Sequence, residues 1–319
     1  MKNKAITFFL IGMALVIVGV IVADYLLKHP GRQQANPYAY DMDSQLEVPE
    51  EIILYKESRN FKLNLDHPAA ISYAEGKLVV AGDRKIVVLD LAGKLISEAP
   101  VDMDPACVKA LGDRFYVGGG NRIVSLDATG TLVSSFSGLA ENSVITSIDA
   151  SGEDIFAADA GRRVVCRFGR DGVKELEFEG KSGDNSNHGF IVPSPFFDLL
   201  VNSFDELWVV NPGKHALENY TYDGELRGFW NASLAGVKGF SGCCNPAHIA
   251  TLPNGNFVTA EKGVVRIKEY KASGEFVGVV AAPAKFGEDQ KAPDLACDEE
   301  GRVYALDPGK KMIRVFEKL

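Results

Sequence analysis

The sequence lacks most of the short signatures that announce a chemistry. It has no Walker loop, no dinucleotide-binding glycine fingerprint, no G-x-S-x-G elbow and no HExxH helix, so the common nucleotide, hydrolase and zincin motifs are excluded. Basic charge is scarce: 34 Lys and Arg stand against 43 Asp and Glu, a net charge of −9. Nucleic-acid binding and adhesion to anionic lipid both rest on Lys and Arg, so neither is expected. Cysteine is sparse as well. The five present, Cys107, Cys166, Cys243, Cys244 and Cys297, form no C-x-x-C pair and no haem-attachment site. An odd count leaves at least one thiol unpaired within a monomer. Gly118-Gly119-Gly120 has the composition of a phosphate loop but opens no helix.

What the chain does hold begins with an apolar run. Residues 5–23, AITFFLIGMALVIVGVIVA, carry no charge, with Lys2 and Lys4 ahead and Asp24 behind. As a helix, these nineteen residues span roughly 28 Å at ~1.5 Å per residue, close to the hydrocarbon thickness of a bilayer. The leading lysines place the N-terminus in the cytoplasm and the rest outside. The expectation is a single-pass signal anchor over residues 1–27. A cleaved signal peptide is the alternative, with Ile21-Val22-Ala23 a poor version of its cleavage site. Residues 28–51 turn polar, with Pro30, Gly31, Pro37 and Pro49 and no apolar period, and read as a tether.

Residues 52–319 repeat. Six segments read as the second strand of one unit: KLVVAGD from Lys77, RFYVGGG from Arg114, DIFAADA from Asp154, ELWVVNP from Glu206, NFVTAEK from Asn256 and RVYALDP from Arg302. Their first apolar residues are Leu78, Phe115, Ile155, Leu207, Phe257 and Val303. A glycine follows the first five at Gly93, Gly130, Gly172, Gly224 and Gly274, offset by 15, 15, 17, 17 and 17 residues. Hairpin turns that need positive φ select glycine at such positions. The sixth unit stops after a third strand, Met312 to Phe316, while a spare strand, Phe61-Lys62-Leu63-Asn64-Leu65, precedes the first unit. Joining them, three strands plus one, closes a ring and removes the open seam. The expected fold class is all-β: a six-bladed β-propeller preceded by one N-terminal transmembrane helix.

Three stretches, Pro246-Ala247-His248-Ile249-Ala250, Pro253-Asn254-Gly255-Asn256-Phe257-Val258 and Gly301-Arg302-Val303-Tyr304-Ala305-Leu306-Asp307, resemble the repeats of the NHL-repeat propellers. The resemblance covers nearly all of residues 52–319 and implies a six-bladed scaffold. That family includes binding modules, protein-interaction domains and a few metal-dependent enzymes such as the peptidyl-hydroxyglycine lyase, so it implies no single activity.

Successive units are spaced 37, 40, 52, 50 and 46 residues apart, so some joints carry extra chain. The excess lies at residues 181–195, KSGDNSNHGFIVPSP, and 231–246, NASLAGVKGFSGCCNP, each leading into an innermost strand. In a propeller that loop opens on the same face as the loop joining second to third strand. The face is expected to collect His188, His215, Cys243, Cys244 and His248 from two adjacent blades, with His67 farther round. Loops on a rigid scaffold are where binding residues gather. Thiolate and imidazole are ligands of zinc, copper and iron, so these five residues are the candidate metal ligands and a transition metal ion the candidate cofactor. Adjacent cysteines chelate one metal less well than C-x-x-C. A strained vicinal disulfide and a packed loop of small apolar residues stay open as readings. Cys107, Cys166 and Cys297 lie in apolar strand patterns and read as structural, as do Trp208 and Trp230. Asp198, Glu261, Asp294 and Asp307 have two readings: they bind a cation or polar ligand, or they tie down turns by accepting backbone N–H groups.

These features point to a membrane-tethered extracytoplasmic module, periplasmic or extracellular, that binds a protein or small molecule on the top face of the propeller. The alternative is a metal-dependent lyase or hydrolase at the mouth of the channel. For it, the sequence supplies no complete set of base, metal and electrophile stabiliser.

Overall fold

Strand-forming sequence is concentrated in the middle of each repeat. KLVVAG and KIVVLD are short β-branched runs, buried on both faces over most of their length. The computed structural model describes residues 2–28, 46–181, 189–234, 236–242, 244–287 and 291–319. In it such runs become the middle strands of six four-stranded antiparallel sheets. His188, Cys243 and most of the expected tether lie outside the described residues.

Strand β1 (Tyr55–Lys62) comes first. The first sheet is β2 (Pro68–Ala74), β3 (Lys77–Gly82), β4 (Lys85–Asp90) and β5 (Leu95–Pro100). The second is β6 (Cys107–Leu111), β7 (Arg114–Gly119), β8 (Arg122–Asp127) and β9 (Leu132–Ser135). The third is β10 (Ile145–Ser151), β11 (Asp154–Asp159), β12 (Val164–Gly169) and β13 (Lys174–Phe178). The fourth is β14 (Leu199–Val201), β15 (Leu207–Asn211), β16 (Ala216–Tyr220) and β17 (Leu226–Asn231). The fifth is β18 (His248–Thr251), β19 (Phe257–Ala260), β20 (Ile267–Tyr270) and β21 (Phe276–Ala281). The sixth has three consecutive strands, β22 (Asp294–Cys297), β23 (Val303–Asp307) and β24 (Met312–Lys318), and its fourth neighbour is β1.

Pairing of β1 with β24 runs from Tyr55 opposite Lys318 to Lys62 opposite Met312. The sequence places this strand at residues 61–65, and the structure starts it at Tyr55. The difference has a physical cause. Phe61, Leu63 and Leu65 signal burial rather than pairing, and they fill the joint between the sixth and first sheets. YKESRNFK faces solvent at most positions and offers no apolar alternation to read.

Apolar side chains fill the joints between neighbouring sheets in six clusters. Val79, Ala81 and Val88 of the first sheet meet Val108, Ala110 and Val117 of the second. Trp208 and Trp230 of the fourth meet Ile249, Phe257 and Tyr270 of the fifth. The first apolar residue of every repeat, from Leu78 to Val303, is buried. The glycine period has two causes rather than one. Gly274 takes φ 85° in the turn after β20, and a Cβ there would come within 2.8 Å of Trp230 on the preceding sheet. Gly93 likewise takes φ 85° and lies against Phe61.

The N-terminal unit, residues Met1–Met42, contains helix α1 (Lys2–Lys28). Its side chains are described without a break only from Phe8 to Asp24, and all of these are exposed. Among the described residues, no helix is long and apolar enough to cross a membrane.

Replacing Gly274 by Ala combines backbone strain with a clash against the indole, each about 1–3 kcal/mol. Gly76 takes φ 73° with nothing within 4 Å of an added Cβ. In chemical denaturation Gly274→Ala is therefore expected to cost roughly twice what Gly76→Ala does. Equal losses would show that sheet-to-sheet approach does not constrain these turns.

Candidate functional site

The innermost strand of each blade is a sheet edge, so a row of its backbone N–H groups has no ladder partner. Side chains of the neighbouring inner strand supply acceptors. Asp294, opening β22, accepts from Ile71 on β2 at 2.8 Å. Ser72 on β2 accepts from Ala110 on β6 at 3.1 Å. Asp149 on β10 accepts from Val201 on β14 at 3.1 Å, and Asp198, just ahead of β14, accepts from Ile249 on β18 at 2.7 Å. Between β6 and β10 the link is an ion pair, Lys109 Nζ to Asp149 Oδ1 at 2.6 Å. The last joint, β18 to β22, is spanned by His248. Its Nδ1 lies 3.4 Å from Asp294 Oδ1 and 3.8 Å from Asp198 Oδ2. These are ion-pair distances, too long for direct hydrogen bonds.

The ring encloses a channel cavity of about 150 Å³ whose lining includes Cys107, Lys109, Asp149, Asp198, His248 and Asp294. A wider mouth cavity of about 680 Å³ adjoins it, lined in part by His67, Asp104, Phe196, His248 and Lys291. Ala106, Thr146 and His248 are common to both, and His248 is the titratable one. Phe196 meets the His248 ring edge-on with centroids 5.9 Å apart. Burial pushes the Asp198 carboxyl from 3.8 up to about 6, with Asp294 adding to the rise and His248 opposing it. Burial raises Asp294 too, again against His248. The thiols of Cys107 and Cys297 are pushed far up by burial, and Cys166 to about 12. All three sit on strands, so they act as small apolar side chains rather than nucleophiles.

Of the five expected metal ligands, three are described. His215 follows β15 with φ 52°, and its Nε2 lies 2.7 Å from the Gly242 carbonyl. A carbonyl only accepts, so Nε2 is the donor and is committed to the backbone. This bond links the second-to-third-strand turn of blade four to the loop leading into blade five, the two loop types expected on one face. Cys244 is 1% exposed and lines neither cavity, whereas His248 lines both. Among the described residues, no group of three or more His, Cys, Asp or Glu could hold a metal ion. His67 lines the mouth beside His248.

Glu261 serves the scaffold. It pairs with Arg266 at 3.0 Å and Lys268 at 2.7 Å, all three fully buried. Its Oε2 also accepts from the Ser241 amide at 3.0 Å, and Lys268 donates to the Gly239 carbonyl at 2.7 Å. The insertion before blade five is thus bonded from beneath by buried charge. Burial pulls Lys268 down to about 8 although Glu261 opposes the shift. Asp307 pairs with Arg314 at 3.0 Å and caps the Lys310 amide. Sequence reasoning singled out Asp198 and Asp294 but missed Lys109 and Asp149. The signal for that pair, matching positions on successive inner strands, emerges only once the strands are in register.

No protein-family model matches the chain. No curated protein matches it either. Solved structures do. A streptogramin B lyase is 14% identical, covering 85% of this chain and 100% of its own, with TM-score 0.61. Virginiamycin B lyase from Staphylococcus aureus is 15% identical, with coverage of 83% and 100% and TM-score 0.58. The WD40 propeller domain of Doa1 is 11% identical, with coverage of 79% of each chain and TM-score 0.55. Identities this low carry the β-propeller fold and nothing finer.

Because the folded carboxyl of Asp198 titrates at about 6 and its ordinary value is 3.8, the folded state holds a proton that the unfolded state releases between them. That contribution is present below about pH 4 and lost as pH rises through about 6. Relative to Asp198→Asn, the wild type is expected to lose on the order of 3 kcal/mol from about pH 4 to about pH 7, followed by denaturant unfolding. A pH-independent gap between the two would contradict a raised carboxyl.

Proposed function

We propose that the chain is a membrane-tethered propeller that presents its mouth outside the cytoplasm and binds a ligand there over His248. The observation that carries the binding site is the position of His248. It is shared by channel and mouth and held at ion-pair distance from two buried carboxylates. A concave site with a few convergent polar groups on rigid strands is the usual form of a ligand pocket. The tether rests on the uncharged run at residues 5–23 and the lysines ahead of it.

The transition-metal form of the proposal has less support. His215 Nε2 is committed to a carbonyl, and Cys244 lines neither cavity, so the reading now centres on His248. A second reading, a lyase or hydrolase at the same mouth, draws on one observation: an imidazole between two carboxylates can hold and relay a proton.

Two measurements test the proposal. In alkaline carbonate extraction of a bacterial host the full chain is expected in the membrane pellet, and recovery in the supernatant would remove the tether. In a fragment screen against protein ring-labelled with ¹⁵N at histidine, hits are expected to move the His248 signal. Hits that perturb only His188 or His215 would relocate the site.

A further inference from the structure

The charge of the mouth points to a class of ligand, an inference that rests on the binding reading above and deepens it. Asp66, Asp83 and Asp104 line the mouth together with Lys291, and the Lys262 ammonium lies over the lining ring of Phe196. Two more carboxylates, Asp198 and Asp294, line the channel cavity that shares His248 with it. These two cannot turn away. Each gives one oxygen to the amide of the next inner strand and the other to the amide of its own following residue, both at 2.9 Å. Asp66 is paired with Lys311 at 2.7 Å, and Asp83 accepts from the Asp66 and His67 amides. Among the described residues, Asp104 pairs with Arg84 at 3.9 Å, and that side chain lies closer to Asp102, at 2.7 Å. The walls are apolar and aromatic: Pro68, Pro105, Pro195, Phe196 and Pro308. Phe196 already attracts a cation, since the Lys262 ammonium lies 5.0 Å from its ring centroid. Among the described residues no three His, Cys, Asp or Glu are placed to hold a metal ion, so this negative field suits a cation that brings its own apolar body.

We infer that the mouth binds an organic ammonium ion, an amine on an apolar or aromatic body. Its charged head faces the Asp198–Asp294 pair beside His248, and its body lies against Phe196 and the prolines. Binding is a charge-directed exchange of hydration for carboxylate field and ring face, with no covalent step.

The test uses the full chain, ring-labelled at its five histidines, and three probes of one shape: benzylammonium, benzyl alcohol and benzoate. Benzylammonium is expected to move the His248 signal at concentrations about tenfold below those benzyl alcohol needs, and benzoate to leave it in place. Nα-acetyl-lysine amide presents the same head from a peptide. Tighter binding than benzylammonium assigns the ammonium to a protein side chain and weaker binding to a free amine, and either supports the class. Asp104→Asn, at an exposed position, is expected to weaken benzylammonium about threefold. Lys262→Met, which removes a competing ammonium from Phe196, is expected to tighten it. Equal affinity for alcohol and ammonium, or a preference for benzoate, overturns the inference and leaves the mouth reading standing. If none of the probes moves His248 the inference fails, and the mouth reading fails with it only if the fragment screen is silent there too.

Discussion

A propeller blade leaves backbone N–H groups on its innermost strand with no partner in their own sheet, and the centre of this molecule is organised around that deficit. Five joints are bridged by a side chain that reaches from one inner strand to the next: Asp294 to Ile71, Ser72 to Ala110, Lys109 to Asp149, Asp149 to Val201 and Asp198 to Ile249. At the remaining joint, His248 lies between the carboxylates of its two neighbours. The apolar clusters supply most of the stabilisation between sheets, as burial does in any core. The side-chain ring decides which groups are left facing the channel.

Using carboxylates for this purpose has an energetic consequence. An ionised group in a cavity wall resists burial, and the raised Asp198 and Asp294 register that resistance. Hydroxyls would satisfy the same amides without charge, as Ser72 does for Ala110. Two carboxylates on either side of the His248 joint therefore create a field that the fold alone does not need. Perturbed carboxyls in a cleft are a common mark of a working site. The blade-five network makes a contrast. Glu261, Arg266 and Lys268 are fully buried, line neither cavity and hold the insertion from beneath. Among the described residues, Arg266 Nη1 has no hydrogen-bond partner there, a cost borne inside the scaffold.

The repeat was legible because its signals are local. Apolar second strands and glycine turns recur at nearly constant offsets, and Leu78 through Val303 all fall in the core. What was hidden depends on contacts between repeats. Strand β1 is an outer strand with a mostly solvated surface, so hydrophobicity marked the leucines after it instead. The candidate site was half legible. Insertions drew attention to the face on which His248 lies, and His248 was named. The chain-adjacent cysteines outweighed the carboxylates that His248 meets across two joints, at Asp198 and Asp294. Fifty residues separate one from it and forty-six the other, and no local pattern spans such gaps.

The inner-strand ring is tested most directly by amide hydrogen exchange at Ile71 and Ile249. If their N–H groups are held by Asp294 and Asp198, both exchange slowly in the native protein. Asp294→Ala then releases Ile71 selectively, and Asp198→Ala releases Ile249. Exchange at both as fast as in the solvent-facing turns, or indifference to the two substitutions, would contradict the account.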